Sequence, residues 1–505
     1  MKKSTKLLSL ALSLVMLITS FSACNTGDQA DESSKDGSEI NSESILTTAI
    51  ETQTETETET ETEPALDIPE KNYGDDLFLL AHGSTANYYA EDRDGNVVTE
   101  AIYDRQEKLL AHLGVNLIAT VAPGGHSEYH LAFTNSIKNK DGAVDFFITN
   151  AYMAVPGIIE AGYARDLKTV EGFNLEADYW NGEFMQSIAL YDQYFLGYSN
   201  FNVPATYVAI FNKELLAKYS DSLSESIYDT VYNYRWTVDK MISLANLVYV
   251  DATSDGKTAD DTFGISGQQW IPFIPFLHAS NIKLVEEGDD GQYKVSVYNK
   301  ANAEKTTTLV DKLKELAESD CAWFKFRIED TPVVPITSGR TLLYLERTSS
   351  LSTFLDYDIE FGVLPYPMYD EMQKDIGYIS LNYDGYIVFP SYVRNEEMIA
   401  ESIEVLSFNS DNVRTAYYEK MLGKQIANAP DDARMLDIVW SSLCSDFGLT
   451  YSTISLTLDD NLYMLPWLTQ AHTTKSIASY VKGYENSANK AINKFMKMIK
   501  SKTGS

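Results

Sequence analysis

The stretch from Tyr191 to Tyr219 reads YDQYFLGYSNFNVPATYVAIFNKELLAKY. It predicts a partly alternating strand with Tyr194, Leu196 and Tyr198 on one face, and a turn over Asn200 to Pro204. A second strand over Thr206 to Asn212 and then a helix complete it. Near the middle of a 505-residue chain, such a strand can pass between two lobes.

Upstream, Leu77 to Ala81 is a short apolar strand and His82-Gly83-Ser84 a turn. Ala101 to Leu113 has helical spacing, with Ile102, Leu109 and Leu113 on one face and Gly114 as its stop. Val115 to Val121 and Val144 to Thr149 are the next strands, and the folded body is expected to begin near Asp76. Strands alternating with helices predict a parallel α/β sheet, whose ligands lie off the carboxyl ends of the strands. His82 to Asn87 and Asn150 to Tyr152 occupy such ends.

Downstream, Thr237 caps a predicted helix over Val238 to Val248, and Ala303 to Glu318 is amphipathic with Leu309, Leu313 and Leu316 inward. Between them, Asp251, Asp255, Asp260 and Asp261 partly resemble a calcium loop. Thr253 and Thr262 stand where oxygen-rich ligands are required, so the loop reads first as a solvated acidic turn. Asn395 caps a further helix with Glu396 and Glu397 in its first turn, and the last 110 or so residues carry mostly helical patterns. No 20- to 50-residue repeat is present, which excludes a solenoid.

The N-terminus reads as an export signal: Lys2, Lys3 and Lys6, then an apolar run from Leu7 to Ile18, too short to span a membrane. Ser20-Phe21-Ser22-Ala23 before Cys24 resembles a lipobox, with Phe21 in place of the usual Leu. It predicts cleavage after Ala23 and lipidation, palmitate included, at Cys24. Residues 25–70 hold fourteen acidic residues against Lys35, with Thr-Glu alternation from Thr54 to Glu63. A segment this polar buries too little to offset its ordering entropy, so residues 24–74 are expected to be a disordered tether. The tether accounts for −13 of the chain's −33 and the leader for +3, leaving −23 on the body, which argues against nucleic acid. Cys321 and Cys444 are the only cysteines beyond Cys24, too few for a disulfide scaffold.

No nucleophile elbow, phosphate loop, dinucleotide fingerprint or zinc-protease motif occurs. His126-Ser-Glu128-Tyr-His130 is the nearest metal candidate, but it follows Gly124-Gly125 and lacks a third ligand. No cofactor and no catalytic residue is predicted. The chain is instead rich in rings, 33 Tyr, 21 Phe and 6 Trp, and aromatic faces beside Asn, Asp, Glu and Arg suit a sugar. Trp236, at a helix start, and Trp180, before a glycine turn, read as packing residues, whereas Trp270 lies in a loop facing the crossings.

Several short motifs recur in a set order: Gly197, Pro204 and Tyr207; Phe211-Asn212-Lys213 with Leu215 and Leu216; Tyr234-Arg-Trp-Thr-Val-Asp-Lys240; Phe263-Gly-Ile-Ser-Gly267; Ser338-Gly-Arg340; and Phe361-Gly-Val-Leu-Pro365. In this order, over residues 75 to 450, the chain resembles the extracellular solute-binding proteins of bacterial ABC importers, the maltose-binding-like family 1. That resemblance implies an α/β, two-lobe, periplasmic-binding-protein-like (class II) fold with three inter-lobe crossings, at 199–203, 341–347 and 383–385. Lobe one would comprise 75–198 and 348–382, and lobe two 204–340 and 386–505. It also implies a monomeric, non-enzymatic receptor, lipid-anchored on the extracellular face of the plasma membrane, which delivers a small solute to a permease. Neutral oligosaccharides rank first as cargo, then peptides or other small nutrients. At strand ends and crossings the expected ligand residues are His82, Asn150, Asn200, Asn202, Glu346, Arg347 and Asp384 as polar anchors, with Tyr152, Tyr207, Trp270 and Tyr383 as stacking rings. The rival readings are a surface glycan hydrolase, which needs two carboxylates within about 10 Å, and an adhesion lipoprotein without a small ligand.

Overall fold

Two separate sheets organise the chain, each built from short strands, of which Phe146–Thr149 and Tyr207–Asn212 are buried throughout and Thr341–Arg347 nearly so. A computed structural model describes residues 66–124, 128–150, 155–203, 205–254, 256–258, 260–268, 271–325, 338–357, 359–382, 384–423, 429–454, 465, 468–469 and 474–503. The leader, Cys24 and the Thr-Glu run lie outside the described residues.

The first sheet joins β1 (Asp75–Ala81), β2 (Val115–Val121), β3 (Phe146–Thr149) and β12 (Tyr386–Val388) in the order β12-β3-β1-β2. β1 runs parallel to both neighbours, and β12 runs antiparallel to β3. The second joins β4 (Tyr207–Asn212), β5 (Phe263–Gln268), β8 (Ala322–Lys325), β9 (Thr341–Arg347) and β10 (Phe361–Leu364) in the order β10-β4-β9-β5-β8. Two small pairs complete the sheets: β6 (Val285–Glu287) with β7 (Tyr293–Val295), and β11 (Ser380–Leu381) with β13 (Leu443–Cys444).

The helices follow local rules. Asn96 accepts from the Val98 N–H, so the first helix runs Val97–Leu113, starting ahead of the predicted Ala101 because its opening residue is exposed and breaks the apolar period. Gly114 ends it at φ 64°, a left-handed geometry that costs glycine least. Helices Val238–Val248 and Ala303–Glu318 have the predicted bounds, and Leu309, Leu313 and Leu316 are buried. The last helix, Ile477–Thr503, buries Val481, Ala488, Ile492, Phe495 and Ile499 along one face.

Three expectations are corrected. The stretch Tyr191–Ser199 is not a regular strand. Tyr191 and Asp192 take φ of 51° and 62°, Leu190 and Gln193 close a tight turn, and only single bridges remain, Gly197 to Ile387 and Ser199 to Trp180. Second, residues 341–347 do not cross between sheets. β9 lies between β4 and β5, and the following chain returns in the same sheet as β10, so the 348–364 part of the expected lobe one belongs with the second sheet. β12, expected in lobe two, pairs with β3 in the first sheet. The chain passes between sheets at 198–206 and at 382–385. It returns through helices Glu396–Phe408, packed on Val97–Leu113, and Asp411–Leu422, which touches that helix and the 348–356 turn of the second sheet's side. Third, the body begins earlier than Asp76. Leu66, Ile68 and Tyr73 pack on the core, and Lys71 pairs with Glu397 at 2.7 Å and Glu401 at 2.6 Å.

The two passages lie side by side. Gly197 and Ile387 exchange backbone hydrogen bonds of 2.8 and 2.9 Å, and Thr206 Oγ1 donates to the Leu381 carbonyl at 2.7 Å. Between them Asn202, 2% exposed, donates to the Gly385 carbonyl and accepts from the Ser199 N–H at 2.9 Å. Asn202 was expected to hold ligand, but both ends of its amide are spent on the backbone. At Gly197 a Cβ would come within 2.8 Å of Leu167 and 3.0 Å of Trp180, so a larger residue would have to push these side chains aside.

Asn202→Ala orphans a buried carbonyl and a buried N–H, each costing about 1–3 kcal/mol. Chemical denaturation should show a loss of that order, whereas full retention of stability would remove Asn202 from this structural role.

Candidate functional site

The carboxyl ends of the first sheet bring three side chains together. His82 continues β1, its N–H bonded to the Ile148 carbonyl at 2.9 Å, and Asn150 follows β3. Tyr129 Oη donates to Asn150 Oδ1 at 2.8 Å, and Asn150 Nδ2 lies 3.3 Å from His82 Nδ1. With the amide held this way, His82 Nδ1 accepts and the N–H falls on Nε2. Thr149 Oγ1 donates to Tyr129 Oη at 3.3 Å, and the His82 and Tyr129 rings are 4.1 Å apart. Burial pushes the Tyr129 hydroxyl up to about 12, which keeps it a neutral donor.

The second sheet contributes the end of β9 and the start of β4. Arg347 stands opposite Tyr207 in register, its guanidinium 5.5 Å from the ring centroid. The Tyr207 ring, expected to stack on ligand, is 1% exposed and packs edge-on against Tyr366 at 6.3 Å. Glu346, one residue earlier, alternates to the other face; it is buried, and its Oε1 accepts the Arg347 N–H at 2.8 Å. Burial pushes its carboxyl up, opposed by that bond and by the Arg347 charge.

Asp384 stands in the passage between them. β12 runs antiparallel to β3 from Tyr386, opposite Thr149, which sets 384–385 at the ligand end of the first sheet. Its Oδ1 accepts the Gly385 N–H at 2.9 Å, and Gly385 has φ 80°. Burial pushes the Asp384 carboxyl up; the Gly385 bond, the charge His82 carries when protonated and the charge of Arg347 oppose the rise. One carboxyl therefore feels a histidine from the first sheet and an arginine from the second.

The other expected residues are distributed differently. Asn200 binds Asp411 Oδ1 at 3.2 Å and lines a cavity of about 680 Å³ that none of His82, Asp384 and Arg347 lines. Tyr152, Trp270 and Tyr383 lie outside the described residues, as do His126 and Asp255. In the acidic loop, Asp261 is buried and accepts from Ala252 and Thr258 N–H groups at 3.0 and 2.8 Å, and Asp251 accepts from Ser254 at 2.7 Å. Asp260 lies 3.9 Å from Arg340. Among the described residues no three His, Cys, Asp or Glu side chains gather as a metal site. Cys321 and Cys444 are free thiols. Trp236 and Trp180 are core, donating to the Pro365 carbonyl and to Glu404.

Tyr129 was missed by sequence reasoning. Its signal lay inside His126-Ser-Glu-Tyr-His130, where the histidines drew the metal reading and the ring between them holds Asn150.

The architecture is similar to that of solved solute-binding proteins. The sugar-binding protein MalE from Xanthomonas citri matches at TM-score 0.57 and 12% identity, over 83% of this chain and 98% of that one. The GacH receptor of Streptomyces glaucescens, solved unliganded and with acarbose, matches at 0.50 and 15%, over 84% and 98%. A solute-binding protein of an ABC transporter from Thermotoga lettingae, bound with α-D-tagatose, matches at 0.50 and 14%, over 83% and 100%. The fold is thus the two-lobe, mixed α/β solute-binding-protein fold. These neighbours are binding proteins rather than enzymes. No family model and no curated protein matches the sequence. Among the described residues no helix is long and apolar enough to cross a membrane.

The raised Asp384 carboxyl has a stability consequence of definite sign. Its charged form is penalised in the folded state, so the penalty is present above the folded value and fades as pH falls toward the unfolded 3.8. Asp384→Asn should therefore raise the melting temperature at neutral pH, with the gain shrinking as pH falls and absent below about pH 4; a gain independent of pH would refute the burial account.

Proposed function

We propose that this chain is the substrate-binding receptor of an ABC importer, taking a carbohydrate between its lobes. The carrying observation is that Asp384 sits beside the carboxyl ends of β1 and β3, where His82 lies, in the passage leading from the sheet whose β9 ends in Arg347. A ligand bridging these positions would have an imidazole N–H, a carboxylate and a guanidinium available to different hydroxyls. Such an arrangement suits a molecule that is donor and acceptor at every carbon. Acarbose and tagatose in the neighbours' sites support a sugar as cargo. A ligand touching both sheets favours the state in which they are close, and a permease reads that population.

No bond is made or broken in this role. His82 Nε2–H donates, Asp384 accepts and Arg347 donates in a fork; Tyr129 and Asn150 orient His82 without touching ligand. Tyr152, Trp270 and Tyr383 are proposed to supply ring faces. Asn200, with its amide on Asp411, is kept as a rim position, and Glu346, buried on the other face of β9, supports Arg347 through the backbone N–H it accepts. The body charge of −23 favours neutral cargo over polyanions. The chain acts as a monomer tethered through a lipidated Cys24 on the extracellular face of the bacterial plasma membrane, with the Thr-Glu run as spacer. Its macromolecular partners are the transmembrane permease subunits.

Thermal shift of the mature protein against mono- and oligosaccharides, peptides and amino acids tests the reading. Ligand at a hundred times its dissociation constant adds about 2.7 kcal/mol to the folded state. The sugar should be recovered unchanged; turnover would favour the hydrolase, and no shift with any solute the adhesion reading. Once a sugar is found, Arg347→Ala removes a charged hydrogen bond of about 1.5–3 kcal/mol, weakening binding roughly ten- to hundredfold. Unaltered affinity in that variant would take Arg347 out of the site.

A further inference from the structure

A second cavity, of about 480 Å³, is lined by His278, Asn281, Lys283, Tyr378, Ser441 and Ser445, among others, and by none of His82, Asp384 and Arg347. That volume lies in the range of small-molecule sites, about 300–1,000 Å³. His278 sits in the short helix Phe276–Ala279 and is 4% exposed. Its Nε2 is 2.9 Å from Asp446 Oδ2, and the same carboxylate accepts the Leu284 N–H at 2.7 Å and the Leu449 N–H at 2.8 Å. Burial pushes the Asp446 carboxyl up, but the His278 charge and hydrogen bond and the two backbone bonds hold it below its usual value. Asp446 is therefore an acceptor only, and His278 Nε2 must carry hydrogen in either protonation state.

The other ring nitrogen has no such arrangement. His278 Nδ1 is buried and has no hydrogen-bond partner among the described residues, on a side chain that lines the cavity. An orphaned buried polar atom is costly, so the cavity's natural occupant supplies its partner. A carboxylate would match only the protonated ring and an ammonium only the neutral one. A hydroxyl matches both, donating to a lone pair or accepting from an N–H. The rest of the lining suits hydroxyls as well: Lys283, Asn281 and the exposed Ser441 supply polar contacts. Tyr378, stacked on Tyr234 at 5.9 Å and 14°, supplies a flat wall for a C–H face.

We infer that this cavity is a second ligand site, for a small polyhydroxylated molecule that bonds one hydroxyl to His278 Nδ1. It does not depend on the cleft reading, since the two sites share no residue.

The test follows the imidazole nitrogens of the ¹⁵N-histidine-labelled mature protein during titration with glycerol, glucose and maltose. The His278 pair is identified by its loss in His278→Gln, whose amide keeps the donor to Asp446. We expect the Nδ1 resonance to shift saturably with at least one of the three. The shift should vanish in Ser441→Trp, where an indole at an exposed rim position fills the mouth, and persist in Arg347→Ala. Circular dichroism melting confirms that both variants fold. Absence of a saturable shift with all three probes overturns the site, as does a shift that survives Ser441→Trp. Loss of the shift in Arg347→Ala alone would assign it to the cleft and overturn it equally.

Discussion

The pairing of two passages between the sheets constrains everything else in this molecule. Residues 198–206 and 382–385 run side by side, joined by the Gly197–Ile387 bridge, the Thr206 hydroxyl on Leu381 and the Asn202 amide on Gly385. Because β12 then pairs antiparallel with β3, the residues just before it are held at the ends of β1 and β3. The position of Asp384 between a histidine of one sheet and an arginine of the other follows from that geometry. So do the close packing at Gly197, where a Cβ would crowd Leu167 and Trp180, and the demand for glycine at 385, where φ is 80°.

Two buried carboxylates of the body are handled in the same way, each with several donors. Glu404 accepts from Trp180 Nε1, the Tyr179 hydroxyl and the Asn174 N–H, tying helix Glu396–Phe408 to the loop before the first passage. Asp145 takes Arg394 Nε and Nη2 and the Phe78 N–H, fastening the chain after β12 to the first sheet. Each carboxyl is pushed up by burial and held in place by its donors. Asp384 differs in having one near backbone donor and two charges at longer range, which leaves it lone pairs to offer a ligand.

Local signals carried far in this chain. Thr237, Asn395 and Gly114 terminate helices where side chain or backbone geometry demands it, and the 3–4 spacing of Leu309, Leu313 and Leu316 marks a buried face. Trp236 and Trp180 were legible as core because each adjoins a turn or cap. The strand-end positions of His82 and Asn150 were legible, since a parallel sheet directs those ends to one side, whereas Arg347 was expected from a crossing at 341–347 that the strand pairing does not show. Tyr129 was not, because nothing near it in sequence says that its hydroxyl meets an amide twenty-one residues away.

The sequence by itself determined the alternation of strands and helices, the caps and the α/β class, because each depends on neighbours within a few residues. Which sheet a strand joins was decided only in three dimensions. Phe361–Leu364 lies far along the chain from β4 yet pairs with it, and Tyr386–Val388 completes the first sheet rather than the second. A buried strand satisfies its hydrogen bonds equally well in either sheet. The choice rests on packing between distant segments, which no local pattern records. The same holds for Asn202. A polar residue in a turn suits a ligand or a backbone alike, and only the approach of Gly385 decides for the backbone.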